Sequence, residues 1–282
     1  MYGYGYRYNS GLVVGAGGGA PIDTTFKITV DTTKAGSASN TFVLKLHNGT
    51  TSMTVYWGDG NSDVITAWNQ AELTHVYASS GTYQISCDGS FKGLYQIGAS
   101  DRLKIMSIDN WGANTWTSCW SSFYTCTNMV ANYTDNPDFS GAGLMNYTFQ
   151  SCINFNGSLE IDATNTATMY FMFIGCSSLN KPITFLNSSS VKNMQYMFYQ
   201  CTVFDQDISS LDITSLTTAT NMLNLSAFST TNYDLLLVAW DAFGTSNVPF
   251  HAGTAKYSSG APATARANMI SRGWTITDGG PV

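Results

Sequence analysis

The chain has 282 residues, of which 11% are charged and 13% aromatic, with a formal net charge of −6. About a quarter charged is usual for soluble domains, and no Lys/Arg cluster is present, so nucleic acid and anionic membrane are excluded as partners. No stretch reaches the roughly 18 apolar residues of a spanning helix, which excludes membrane insertion on the sequence pattern.

Residues 1–21, MYGYGYRYNSGLVVGAGGGAP, alternate Tyr2, Tyr4, Tyr6 and Tyr8 with small or polar residues and lack the content of a core. Such a segment is expected to anchor the chain by inserting into a partner, its tyrosines supplying contact area. Packing on its own chain or on a neighbouring copy is the alternative. The glycine-diluted apolar run does not read as a signal peptide. Folding in a reducing cytoplasm is therefore expected.

Residues 22–100 hold FKITVDT, TFVLKLH, SMTVYWG and TYQISCDG, alternating runs separated by Gly, Asn and Ser turns. They predict a small antiparallel β-sandwich. Trp57, Gly58, Asp59, Gly60, His75, Tyr77, Gly81 and Tyr83 resemble the motifs of the polycystic-kidney-disease (PKD) type of Ig-like domain. Asp59, Asn61 and Asp63 fail the EF-hand pattern, with Val64 and Gln70 where Gly and Glu are required, and read as a turn capped by Asp. His75 and His251 read as packed side chains.

Residues 101–230 are periodic. Cys126, Cys152, Cys176 and Cys201 recur at intervals of 24 to 26, and one further step reaches Ser226. At minus seven, minus four, minus three and zero stand sets such as Met169, Met172, Phe173 and Cys176, or Met194, Met197, Phe198 and Cys201. These offsets predict one face of a two-turn helix. The apolar residues seven beyond, Tyr133, Leu159, Ile183, Ile208 and Tyr233, predict a short strand in every copy. Helix and strand would bury their apolar sides by stacking on the next copy, and the cysteines would be small apolar fillers. No metal ligand set, cofactor motif or catalytic constellation is recognised.

The pattern MQYMFYQCTVFDQDIS and its copies TMYFMFIGCSSLNKPI and LMNYTFQSCINFNGSL resemble the BspA-type leucine-rich repeat of bacterial surface proteins, which also occurs in tailed-phage virions. The fold this implies is multidomain α+β. An N-terminal segment (1–21) precedes an Ig-like β-sandwich (22–100), a leucine-rich-repeat-type α/β solenoid (101–230) and a C-terminal capping region (231–282). In that last region YDLLLVAWDAF, NVPFHAG, PATARANMISRG and WTITDGG predict helix, strand, helix and strand.

The function expected is that of a non-enzymatic bacteriophage virion structural protein. It would be made in the host cytoplasm, displayed on the virion surface in several copies or as a homo-oligomer, and held to other virion proteins by its first 21 residues. Its repeats would adhere to a host-surface glycan or protein, as in a tail fibre or receptor-binding protein. Capsid decoration, a head fibre and a bacterial cell-surface adhesin are the alternatives. Trp111, Trp116 and Trp120 are the candidate glycan contacts, with sealing of a domain junction as the other reading.

Overall fold

The computed structural model describes residues 12–13 and 22–282. Strands β1 (Leu12–Val13) and β2 (Ile22–Asp23) form an antiparallel pair. The alternating runs then become β3 (Phe26–Asp31), β4 (Thr41–Val43), β5 (Thr50–Tyr56), β6 (Ser62–Ala67), β7 (Thr74–Val76) and β8 (Thr82–Ser90). In β3 the period of two is fully realised: Phe26, Ile28 and Val30 are buried while Lys27, Thr29 and Asp31 face outward.

Two later strands, β9 (Ile105–Asn110) and β10 (Val130–Ala131), complete one six-stranded sheet of order β10-β9-β3-β8-β5-β6. β9 runs antiparallel to β3, whereas β10 runs parallel to β9. β4 and β7 form a separate pair of three residues each. The Ig-like sandwich is thereby corrected: a single mixed sheet with a small flap replaces two packed antiparallel sheets, and two of its strands lie beyond residue 100. The reason is that β3 is central, so its second edge needs a partner, and β9 supplies it.

Two features fix the margins of this sheet. At the β6 edge, the Gln70 side chain accepts from Thr66 N at 3.0 Å and donates to Val64 O at 2.9 Å, occupying outward backbone groups of the strand. Inside, the buried Lys104 ammonium lies 3.5 Å from the buried Asp101 carboxylate and donates to the carbonyls of Ser37, Ala38 and Thr41. Asp101 accepts from Ser37 N and Val43 N, so the pair ties the 37–43 loop to the segment entering β9.

The repeats fold without the predicted helix, and with the predicted strand in only some copies. Each copy holds two residues in the left-handed region, at minus five (Ser121, Tyr147, Phe171, Tyr196, Asn221) and at minus one (Thr125, Ser151, Gly175, Gln200, Leu225). Left-handed residues stop an α-helix. The amides that a helix would direct four residues back bond instead to the next copy: Phe149 N to Met172 O at 2.8 Å, Phe173 N to Met197 O at 2.9 Å, Phe198 N to Met222 O at 2.9 Å. The predicted α/β solenoid is therefore corrected to turn-rich coils, and the described residues hold only two α-helices, both after residue 229. Of the predicted strands, Leu159 and Ile183 open β11 (Leu159–Asp162) and β12 (Ile183–Leu186), which pair in parallel; Tyr133 and Ile208 lie in none, and Tyr233 is helical.

The offsets that suggested a helical face nonetheless mark the buried side of each coil. Phe123, Phe149, Phe173 and Phe198 stack with centroids 5.3 to 5.4 Å apart and planes within 10°. All six cysteines are free and buried. Cys152, Cys176 and Cys201 each donate the thiol hydrogen to the phenylalanine carbonyl of the preceding coil, at 2.9 to 3.0 Å. Cysteine is thus a filler with a weak donor, a role the sequence reading missed.

The C-terminal elements lie where the sequence places them. They are α1 (Thr230–Ala242), β13 (Pro249–His251), α2 (Ala261–Ser271) and β14 (Thr275–Thr277), with β13 parallel to β14. Ser229 caps α1 by accepting from Asn232 N. Ala219 N bonds to Pro249 O and Leu223 N to His251 O, so β13 takes the position of a further coil edge.

Candidate functional site: an aromatic cleft beside the first coil

Trp111 and Trp116 are fully buried. Their rings lie 5.7 Å apart and edge-on, packed with Phe26, Phe91, Phe123 and Phe139 in one aromatic core shared by the sheet and the first coils. They offer no face to a ligand, which leaves the junction-sealing reading for both. Trp120 is different: 38% of it is exposed. Tyr2, Tyr4, Tyr6 and Tyr8 lie outside the described residues.

Trp120 borders a cleft of about 560 Å³ whose wall combines the 43–48 segment, Trp68 to Gln70, Leu73, Thr74 and Tyr95. Trp68 is 43% exposed. Tyr95 sits 5.7 Å from Trp120 and 4.9 Å from His47, ring centroid to centroid. Lys45 stands 5.0 Å over the Tyr95 ring while its ammonium donates to Ile97 O. Asn48 and Asn69 are exposed on the rim.

His47 holds the far wall in place. Its Nε2 lies 2.7 Å from the Trp120 carbonyl, a contact that places a proton on that nitrogen because a carbonyl oxygen can only accept. Burial pushes its pKa down, with Lys92 adding to the effect and the Trp120 carbonyl opposing it. The imidazole is thus neutral near pH 7 and acts as a brace for Trp120.

The cleft size falls in the range of small-ligand sites, about 300–1,000 Å³, and its wall combines aromatic faces, aliphatic side chains, neutral amides and Lys45. That combination suits the apolar face and hydroxyl edge of a sugar. Several carboxylates, by contrast, are committed to turns. Asp31, Asp138, Asp162 and Asp212 each accept from the backbone N–H two residues on. Hydrogen bonds from the Thr33 and Thr164 hydroxyls hold Asp31 and Asp162 below the ordinary carboxylate range, the opposite of what a general acid needs.

Asp59 likewise accepts from Asn61 N and from His75, which stacks on Trp57 at 4.8 Å. Asp63 accepts from the Trp57 indole at 2.7 Å. The motif residues of this region therefore close a turn, as their spacing suggests.

Residues 117–235 match a family model described as "Mycoplasma protein of unknown function, DUF285". The matched span takes in Trp120 and the repeats, and leaves the sheet strands β3 to β9 and the cleft's other walls outside it. No curated protein and no solved structure matches the chain.

The cleft was half legible. Trp120 stood out as a surface candidate, but Trp68, His47 and Tyr95 come from three distant segments that meet only when the sheet and its flap form. The signal available was the tryptophan in ITAWNQ, an apolar side chain just past the polar end of an alternating run.

Proposed function

We propose that the protein is a non-enzymatic attachment protein that recognises a cell-surface glycan through the cleft bordered by Trp68, Tyr95 and Trp120. The observation that carries this reading is the pair of exposed tryptophans facing a 560 Å³ space with amides at its rim. Aromatic rings supply contact area at low entropic cost, and multiple copies on one particle or cell multiply weak single-site affinity.

Display on a bacteriophage virion is the favoured setting. Its support is the set of six free, buried cysteines, which suits a chain that folds in a reducing cytoplasm before display. Display on a bacterial cell is the second reading, favoured by the Mycoplasma description of the matching family.

The test is a glycan array probed with the purified chain, followed by titration of any hit against Trp68→Ala and Trp120→Ala. The expected outcome is a hit weakened roughly tenfold or more by each change. Absence of any hit, or hits indifferent to both changes, removes the reading. Release of reducing ends from a bound polysaccharide would remove its non-enzymatic half. Peptide mass spectrometry of purified virions separates the two settings.

A further inference from the structure

One face of the coils carries a second, independent feature. Tyr124, Tyr147, Tyr170, Phe171, Tyr196 and Tyr199 are all partly exposed, and each touches the next. Tyr124 lies 6.5 Å from Tyr147, Tyr147 lies 5.5 Å from both Tyr170 and Phe171, and Phe171 lies 4.8 Å from Tyr196. Tyr196 is 5.4 Å from Tyr199. The rings form a continuous row across four successive coils, and its first member, Tyr124, follows the cleft residue Trp120 by four positions.

The row is built against local preference. Tyr147, Phe171 and Tyr196 occupy the minus-five position with φ of 60°, 58° and 56°. A left-handed backbone suits Asn or Gly and disfavours a bulky side chain. The last coil has the expected residue there, Asn221, at φ 56°. Core packing gives no reason for aromatics at the other three, since the buried ladder is already filled by Phe149, Phe173 and Phe198. The left-handed backbone recurs in every coil, so what needs a reason is the bulky ring placed on it.

We propose that this row is a binding surface for a linear, uncharged polysaccharide lying across the coils. Periodicity is the first argument. The partner must repeat at the spacing of the coils, with rings 4.8 to 5.5 Å apart along the minus-five column. An extended peptide repeats its side-chain pattern every two residues, at about 6.6 Å, and would fall out of step. A glycan chain repeats at every sugar ring.

Charge is the second argument: the six ring positions carry no formal charge. A helical peptide has a similar pitch, about 5.4 Å per turn, but docks its apolar face in a hydrophobic groove. Five of these six rings end in a hydroxyl, which matches the hydroxyl edge of a sugar.

The test titrates the full chain with cello-, chito-, laminari- and malto-oligosaccharides of increasing length, read by calorimetry. Affinity is expected to rise with chain length for at least one series and to be insensitive to salt. The triple change Tyr147→Asn, Phe171→Asn, Tyr196→Asn should weaken it, roughly two- to tenfold per ring lost, while leaving the melting temperature equal or higher because Asn fits the left-handed backbone. Tyr170→Gln, at an ordinary backbone position, reads the same contact if the triple variant folds poorly.

Trp68→Ala strips one wall of the cleft without touching the row, so length-dependent binding that survives it and is lost in the row variants belongs to the row. No length-dependent binding in any series overturns the proposal. So does undiminished binding by the variants, a steep salt dependence, or capture of an amphipathic helical peptide that the sugars do not displace.

Discussion

The sheet and the coils both satisfy their backbones through neighbouring segments, but over different distances. β3 bonds to β8 and β9, more than 50 residues away in sequence, with register set by alternating burial. Each coil bonds to the next, about 25 residues on, with register set by two left-handed residues per copy. The sheet stands or falls as a whole, whereas the coils depend on nearest neighbours. Turn conformation therefore governs one region and strand patterning the other.

The strongest way to break this contrast is to empty one layer of each. Phe173→Ala should cost about 3–5 kcal/mol and release amide protons of the adjacent coils in hydrogen exchange while those of β3 and β8 stay protected. Equal loss of protection in both regions would contradict nearest-neighbour behaviour. Asp101→Ala leaves the Lys104 charge buried without its partner and should cost about 3–5 kcal/mol as well, with the loss of protection now centred on the sheet.

A smaller effect sharpens the role of the left-handed positions. Leu225, exposed at φ 61°, should gain about 1 kcal/mol on replacement by Asn, by chemical denaturation. A destabilised Leu225→Asn would mean that side-chain contact outweighs backbone strain there.

The smallest effect is on the cleft side. The folded-state pKa of His47 lies below its ordinary value of about 6.5. Its neutral form is favoured by folding, so the stability it lends is present above pH 6.5 and is lost as pH falls from there toward the folded-state value. Thermal melts from pH 7.5 to 5 should show this decline, and His47→Gln should flatten it.

Much of the repeat was legible because its buried positions are chemically alike: Phe or Leu at minus three and Cys or Ser at zero recur wherever a coil packs on the next. Its local shape was misread for a physical reason. Apolar residues at minus seven, minus four, minus three and zero fit one side of a helix and equally the inward side of a coil whose amides point to a neighbour. Only Gly175 and Asn221, residues at home in the left-handed region, hinted at the second. In the sheet, alternation located β3, β5 and β8, but nothing local told that Ile105–Asn110 would pair with β3 across some 80 residues. The burial of Trp111 and Trp116, likewise, depends on Phe26 and Phe91 arriving from elsewhere.

Gln70 has a consequence for crowding. One border of the six-stranded sheet continues into the coils through β10, and the opposite border is where a sister molecule would add a strand. There a carboxamide imitates the missing neighbour at Val64 and Thr66. Strand addition by a sister molecule at that border would first have to displace this carboxamide, which guards the sheet against edge-to-edge pairing.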